Sequence, residues 1–263
     1  MTFPLNHDLH CHSTLSSCCR DSWMTPVNIL EHAKACDYQT ICLTNHVWDI
    51  DVPTAVDFYK GQDIAHITSA LPLPQAKGIR FLFGCETEYV GGDRIGMARK
   101  HFDLFDFVAV PVNHFNLVGL VVPVGTDTSA ESFCRLQLER LKQLISLDLP
   151  WEKIGIAHLY VPAAESEKEE ARLMAFVQEQ LNDYMHVFER ISRLGAGVEL
   201  NASVFGQGQM ERLLPIYGAA KAAGCKFYCA SDAHRRTELD GIRERLPPVV
   251  EALALDGNDL FMV

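Results

Sequence analysis

Short apolar runs rich in β-branched and aromatic residues recur along the chain with longer, helix-patterned stretches between them. Seven of these runs read as strands, at 6–11, 38–43, 79–84, 106–112, 153–157, 197–200 and 226–230. Between 170 and 194, Leu173, Phe176, Val177, Leu181, Tyr184, Phe188 and Ile191 follow steps of three and four. That period predicts a helix with one core-bound face, and 26–36 and 131–147 repeat it more briefly. Ser166 followed by Glu167, Glu169 and Glu170 supplies an acidic first turn that favours the positive end of a helix. Strands alternating with helices predict an α/β fold with a parallel sheet rather than a sandwich. The longest excursion between strands, at 47–78, is expected to hold a helix with a lid loop.

Composition narrows the class without changing that picture. A chain of 263 residues with 48% hydrophobic and 22% charged residues is an ordinary globular mixture, and no repeat, low-complexity tract or Pro/Gly/Ser linker divides it. A single domain spanning 1–263 is expected. No apolar run approaches the ~20 residues that span a bilayer, and the start lacks the pattern of an export signal. The formal charge of −11 and the absence of a basic block argue against nucleic acid and leave a small anion as the expected partner. Nine scattered cysteines without a CxxC pair suit a reducing, cytoplasmic setting, and Cys18 and Cys19 read as bystanders.

The candidate chemistry lies at the strand ends. His10 and His12, at i and i+2, close the first predicted strand, and His46 follows the second. Glu86 follows the third, His114 the fourth, His158 the fifth, and Asp232 and His234 the seventh. In a barrel of parallel strands the C-terminal ends converge on one face, where active sites are built. Six of the 11 histidines fall there; His7, His32, His66, His101 and His186 do not, and read as core or surface side chains. Mixed imidazole and carboxylate donors suit Zn²⁺, Mn²⁺ or Fe²⁺ rather than Ca²⁺ or Mg²⁺. With Asp21 the set reaches nine, too many for one ion, so two or three divalent transition metals are expected.

In this order, DLHCHST, RDSWMTP, TNH, GCE, NHF, AHLY, ELNAS and SDAH resemble the PHP (polymerase and histidinol phosphatase) family of metal-dependent phosphoesterases, most of all its stand-alone histidinol-phosphatase type, from about residue 7 to 245. The resemblance implies a distorted, TIM-like (β/α)7 barrel with a trinuclear site. Position by position it implies that His10, His12, Glu86 and Asp232 hold a first metal, that Glu86 bridges to a second held by His114 and His158, and that Asp21, His46 and His234 hold a third. Two departures stand out. Thr44-Asn45-His46 replaces the usual Thr-Asp-His, and Ser22 follows Asp21 where glycine is common.

Three divalent ions against the carboxylates of Asp21, Glu86 and Asp232 leave a formal charge of about +3. Such a site attracts a phosphate monoester, and the resemblance makes L-histidinol phosphate, and with it histidine biosynthesis, the leading expectation. The expected reaction is in-line attack by a metal-bridging hydroxide held by Glu86, Asp232 and His234. Arg235 and Arg20 are candidates to clamp the phosphate, and Glu88 reads equally as a supporting residue or as leaving-group acid. Glu199 and Asn201 are assigned to the site wall. The same metals would serve a phosphodiesterase, a phosphotyrosine phosphatase or an amidohydrolase-like enzyme, and a binding module with structural metals is the alternative of another class. The sequence leaves the oligomeric state open.

Overall fold

The computed structural model describes residues 2–53, 55–164, 166–206 and 209–263. Nine strands form in it: β1 His7–Cys11, β2 Thr40–Leu43, β3 Arg80–Glu86, β4 Tyr89–Gly91, β5 Arg94–Ile95, β6 Phe107–Pro111, β7 Ile154–Ala157, β8 Gly197–Asn201 and β9 Lys226–Ala230. Seven of them pair in parallel in the order β1-β2-β3-β6-β7-β8-β9, at or near the seven positions read from the apolar runs. The helices are α1 Pro26–Ala35, α2 Ile64–Thr68, α3 Ala130–Leu144, α4 Glu167–Leu194, α5 Ala202–Phe205, α6 Met210–Ala222, α7 Gly241–Arg245 and α8 Pro247–Ala252. Local sequence accounts for the boundaries of the long ones. Thr25 caps α1 ahead of Pro26. Ser166 caps α4, which ends on Gly195 at φ 82°.

The sheet curls into a nearly closed barrel. Its two edges meet through backbone bonds from Asp232 N to His10 O (2.7 Å) and from His12 N to Ala233 O (3.0 Å), so the seam itself joins His10 and His12, at the end of β1, to the segment after β9. Inward positions alternate with outward ones, as strand geometry requires. Leu9, Cys42, Leu82, Phe107, Ala109, Ala157, Tyr228 and Ala230 fill the barrel, with Phe261 packed against them. Two rings share that narrow interior because Gly155 gives way: a Cβ there would lie 2.4 Å from Tyr228 Oη and 2.5 Å from Phe107 Cζ. The larger apolar cluster lies between the barrel and its helices and takes in Leu173, Phe176, Tyr184, Phe188 and Ile191 from the predicted face of α4.

The excursion at 47–78 contains a single 3-10 turn at Asp57–Tyr59 and the short α2. The hairpin of β4 and β5 was not foreseen, because strands of three and two residues are too short to show a period. Trp48, Tyr59, Val90, Leu120 and Val121 make a separate apolar cluster that ties the excursion, the hairpin and the segment after β6 together. Among the described residues no helix is long and apolar enough to cross a membrane.

Candidate metal centre

The inward parity of β3, which carries Leu82 and Gly84 into the barrel, places Glu86 at the centre of its C-terminal mouth, fully buried. Five imidazoles surround it. Glu86 Oε2 lies 3.4 Å from both His10 Nε2 and His12 Nε2 and 2.9 Å from His46 Nδ1, while Oε1 lies 3.4 Å from His158 Nε2 and 3.7 Å from His114 Nε2. Asp232 Oδ1 faces His12 Nε2 at 3.4 Å and His10 Nε2 at 3.7 Å, and its Oδ2 faces His158 Nε2 at 3.4 Å. His234 stacks on His12 with ring centroids 4.1 Å apart. The structure thus brings together eight of the nine expected ligands.

Two of these positions depend on unusual backbone. Gly155 and Ala157 point inward, so simple alternation would turn His158 out of the barrel; its φ of 60° carries the ring back to the cluster. Asp232 has φ 53°. Such conformations cost non-glycine residues on the order of 1–3 kcal/mol and persist where the surroundings over-determine them. Here Glu199 Oε2 accepts from His158 N at 2.7 Å, and the Asp232 amide closes the barrel seam.

Buried partners set the direction in which each imidazole presents its lone pair. Glu199 Oε1 sits 2.6 Å from His10 Nδ1, and Glu88 Oε1 sits 2.5 Å from His114 Nδ1, so protons reside on those Nδ1 atoms and both Nε2 atoms face the cluster. For His12 the chain of reasoning is longer. Asn45 Oδ1 accepts from Ser13 N, which fixes its amide orientation, and the Ser16 hydroxyl donates to that same oxygen. Having one proton to give, Ser16 Oγ must accept from His46 N and from His12 Nδ1, leaving His12 Nε2 bare. His10 Nε2 and His12 Nε2 then face each other at 3.1 Å, a contact that a proton on His10 or a shared cation would satisfy.

The donor set fits metal ions by a second criterion. Glu86 Oε1 and Oε2, His46 Nδ1, His158 Nε2 and Asp232 Oδ1 are all buried without a hydrogen-bond partner, a condition that native structures rarely tolerate. All five line the same space. Donor atoms of His10, His12 and Glu86 lie within 4.8 Å of one another, as do those of Glu86, His114 and His158, of His10, His158 and Asp232, and of His12, His46 and His234.

Electrostatics report the same crowding. Burial opposes charge on His10, but Glu86 and Glu199 overcome it and hold the imidazole well above its usual value. Burial and the neighbouring His234 press His12 well below. Burial works against His46 and His114 too, yet Glu86 raises the first to about 10 and Glu88 the second to about 9. Glu86 and Asp232 lie well below the carboxylate range because the imidazoles around them outweigh burial. At the rim, burial pushes the Cys18 thiol up, but contacts with His234 and His46 bring it down to about 6.

The remaining expectations fare differently. Asp21 is turned away: its Oδ1 accepts from Trp23 N and its Oδ2 from Arg236 N, so the carboxylate ties the β1–α1 loop to the segment after His234. Arg20 is exposed. Arg235 is 73% exposed with its Nε 4.0 Å from Glu238 Oε1, because Glu238 accepts from the amides of both His234 and Arg235 and draws the guanidinium towards itself. Glu88 resolves as a positioning residue, since the Tyr59 hydroxyl donates to the oxygen that faces His114. Glu199 does more than form a wall, and its signal was its place, two residues before the inward-facing Asn201 on β8. His7 accepts from Cys229 N in the core, His66 Nε2 meets Leu15 O, His101 meets Asp49, and His186 is exposed beside Glu189. His32 lies against Cys36 and Asp240, outside the cluster.

Comparison with known proteins places the fold in a family. The PHP domain profile matches residues 8–203. No curated protein sequence matches the chain. Among solved structures, the histidinol phosphate phosphatase of Lactococcus lactis subsp. lactis Il1403, in complex with zinc, L-histidinol and phosphate, superposes with a TM-score of 0.58 at 15% identity, over 98% of this chain and 99% of that one. At that identity the likeness concerns the fold. The domain profile covers well over half of the sequence, and the chain belongs to the PHP-domain family of metal-dependent phosphoesterases.

Proposed function

We propose that the protein hydrolyses a small phosphate monoester at this multinuclear centre, with L-histidinol phosphate the first substrate to test. The observation that carries the reading is the convergence on one space of five buried polar atoms without a hydrogen-bond partner, on Glu86, His46, His158 and Asp232, a set of donors that bound cations would satisfy together. His10, His12, Glu86 and Asp232 would hold one ion, Glu86, His114 and His158 a second, and His46 with His234 a third. When bound, zinc, manganese or iron ions lower the pKa of water towards 7 and neutralise developing charge on phosphoryl oxygens.

The protein's own contribution is orientation. Glu199 and Glu88 hold His10 and His114 by their Nδ1 atoms, Ser16 holds His12, and the Asp232 carbonyl holds His234 Nδ1 at 2.9 Å. Phe58 stands edge-on to His46 with centroids 5.1 Å apart, and the apolar cluster around Trp48 and Tyr59 walls this side of the mouth. The L. lactis protein was solved with histidinol and phosphate, and a likeness spanning both chains supports trying that substrate first.

The test is phosphate release from L-histidinol phosphate and from para-nitrophenyl phosphate after chelation and add-back of Zn²⁺ or Mn²⁺. We expect metal-dependent release from at least one. A metal-loaded sample that releases phosphate from neither, but cleaves a diester, would move the function to a phosphodiesterase on the same site.

A further inference from the structure

We propose that Cys18 is a ligand of the outermost ion, completing with His46 and His234 a site of two nitrogens and one sulfur in place of the carboxylate expected from Asp21. The inference rests on the metal-dependent reading above and assigns one residue within it.

Cys18 is the exposed cysteine among nine; the other eight are buried. Exposure alone would make it a surface bystander, but its position is fixed from both sides. Ser17 N donates to Gln62 Oε1 at 2.7 Å, Cys19 N donates to Ser16 O at 2.9 Å, and Cys19 Sγ lies 3.1 Å from His234 O. Ser16 is itself clamped between Asn45, His12 and His46. The loop therefore holds the Cys18 side chain against two imidazoles, His46 and His234.

Those imidazoles independently call for a ligand. His46 is 5% exposed, and its Nδ1 has no hydrogen-bond partner although Glu86 Oε2 lies 2.9 Å away. His234 has Nδ1 committed to the Asp232 carbonyl, which leaves Nε2 bare. His12 also lies within 4.8 Å of them but is assigned to the first ion, so the two imidazoles offer two donors where about three protein ligands are needed. Asp21 is a poor third, because the amides of Trp23 and Arg236 each hold one of its oxygens and fix the carboxylate in the loop. The thiol of Cys18 holds no backbone amide and faces both His46 and His234. A thiolate carries the same single negative charge as the carboxylate it replaces, so the formal charge of the centre is unchanged. What changes is softness: one sulfur with imidazoles favours zinc or cobalt over manganese at this position.

The full-length protein, stripped with chelator and reloaded with Co²⁺, separates the possibilities through metal content and near-ultraviolet absorption. The expected result is a thiolate-to-cobalt charge-transfer band in the wild type that disappears in Cys18→Ser, with about one ion per chain lost on dialysis and the inner ions retained. Asp21→Asn should keep both band and ion. The inner ions serve as the internal check on folding. Three outcomes overturn the proposal: a fully loaded wild type without the band, a band that survives Cys18→Ser, or one that vanishes in Cys36→Ser, which would put cobalt at His32, Cys36 and Asp240 instead. A wild type that takes up no metal defeats the metal-dependent reading itself, whereas loading without the band leaves that reading intact.

Discussion

Single side chains in this centre act mainly by fixing which nitrogen of a neighbour is bare. Glu199 serves three groups at once, His10 Nδ1, His158 N and the Asn201 amide. Replacing it by glutamine forces an NH₂ group against one of those donors. We expect Glu199→Gln to lower metal affinity by roughly 10–100-fold, the range for lost support of metal-bound histidines, while the protein stays folded; chelator competition reads the affinity and circular dichroism the fold. Asn45 holds the loop with its oxygen alone, which accepts from Ser13 N, Ser13 Oγ and Ser16 Oγ, while its Nδ2 is buried without a hydrogen-bond partner. Away from the metals, burial lowers the pKa of His7 from 6.5 to about 4, despite a hydrogen bond to Pro4. The folded state refuses a proton that the unfolded chain accepts, so stability is full above about 6.5 and is lost as pH falls towards 4. Against His7→Gln, measured by urea unfolding, the wild type should lose ~3 kcal/mol across that window.

At the scale of elements, the strands carry two requirements on alternate faces. One face of β7 must be small enough for Phe107 and Tyr228 to meet inside the barrel, and Gly155 satisfies that need. Gly155→Ala should therefore destabilise the protein by ~1–3 kcal/mol, as overpacking does, seen as a lower urea midpoint with an unchanged slope; an unaltered midpoint would mean the rings have room to move. The β1–α1 loop is the other decisive element, since Ser13, Ser16 and Cys19 fasten it to Asn45 just beyond β2 and to the segment after β9. That fastening makes the stretch one wall of the metal cluster through Ser16 rather than through Asp21.

For the whole molecule, area scaling at 29.4 kDa expects ~11,500 Å² of exposed surface, and the protein exposes 11753 Å². Among the described residues no long segment stands off the barrel. Bound metals would join its opposite edges, because His10 and His12 stand at the end of β1 and just beyond it, and Asp232 and His234 in the segment after β9. Removing them leaves buried carboxylates and imidazoles facing each other across the seam. Saturating zinc at ~1,000 times its dissociation constant would contribute ~4 kcal/mol, so chelation should lower the melting temperature by about 10 °C for a chain of this size. Scanning calorimetry with and without chelator checks this; equal midpoints would show that the ions are not coupled to folding.

Much of this architecture was legible along the chain. Apolar runs of four to seven residues repeat a local requirement, burial between barrel and helices, and local requirements show as period. Placing the ligands needed only the rule that parallel strands converge at their C-terminal ends, and eight of the nine meet there. What the sequence alone could not decide is how residues far apart in the chain share each other's donors and acceptors. That Asp21 is taken by Arg236, that Glu199 reaches His10 across 189 positions, and that Cys18 lies against His46 and His234 are consequences of closure. The left-handed turn that brings His158 inward is likewise imposed from outside, by the Glu199 carboxylate on its amide. Periodicity records what a residue needs from solvent and core, whereas hydrogen bonds and coordination are settled between pairs that only the closed barrel brings within reach.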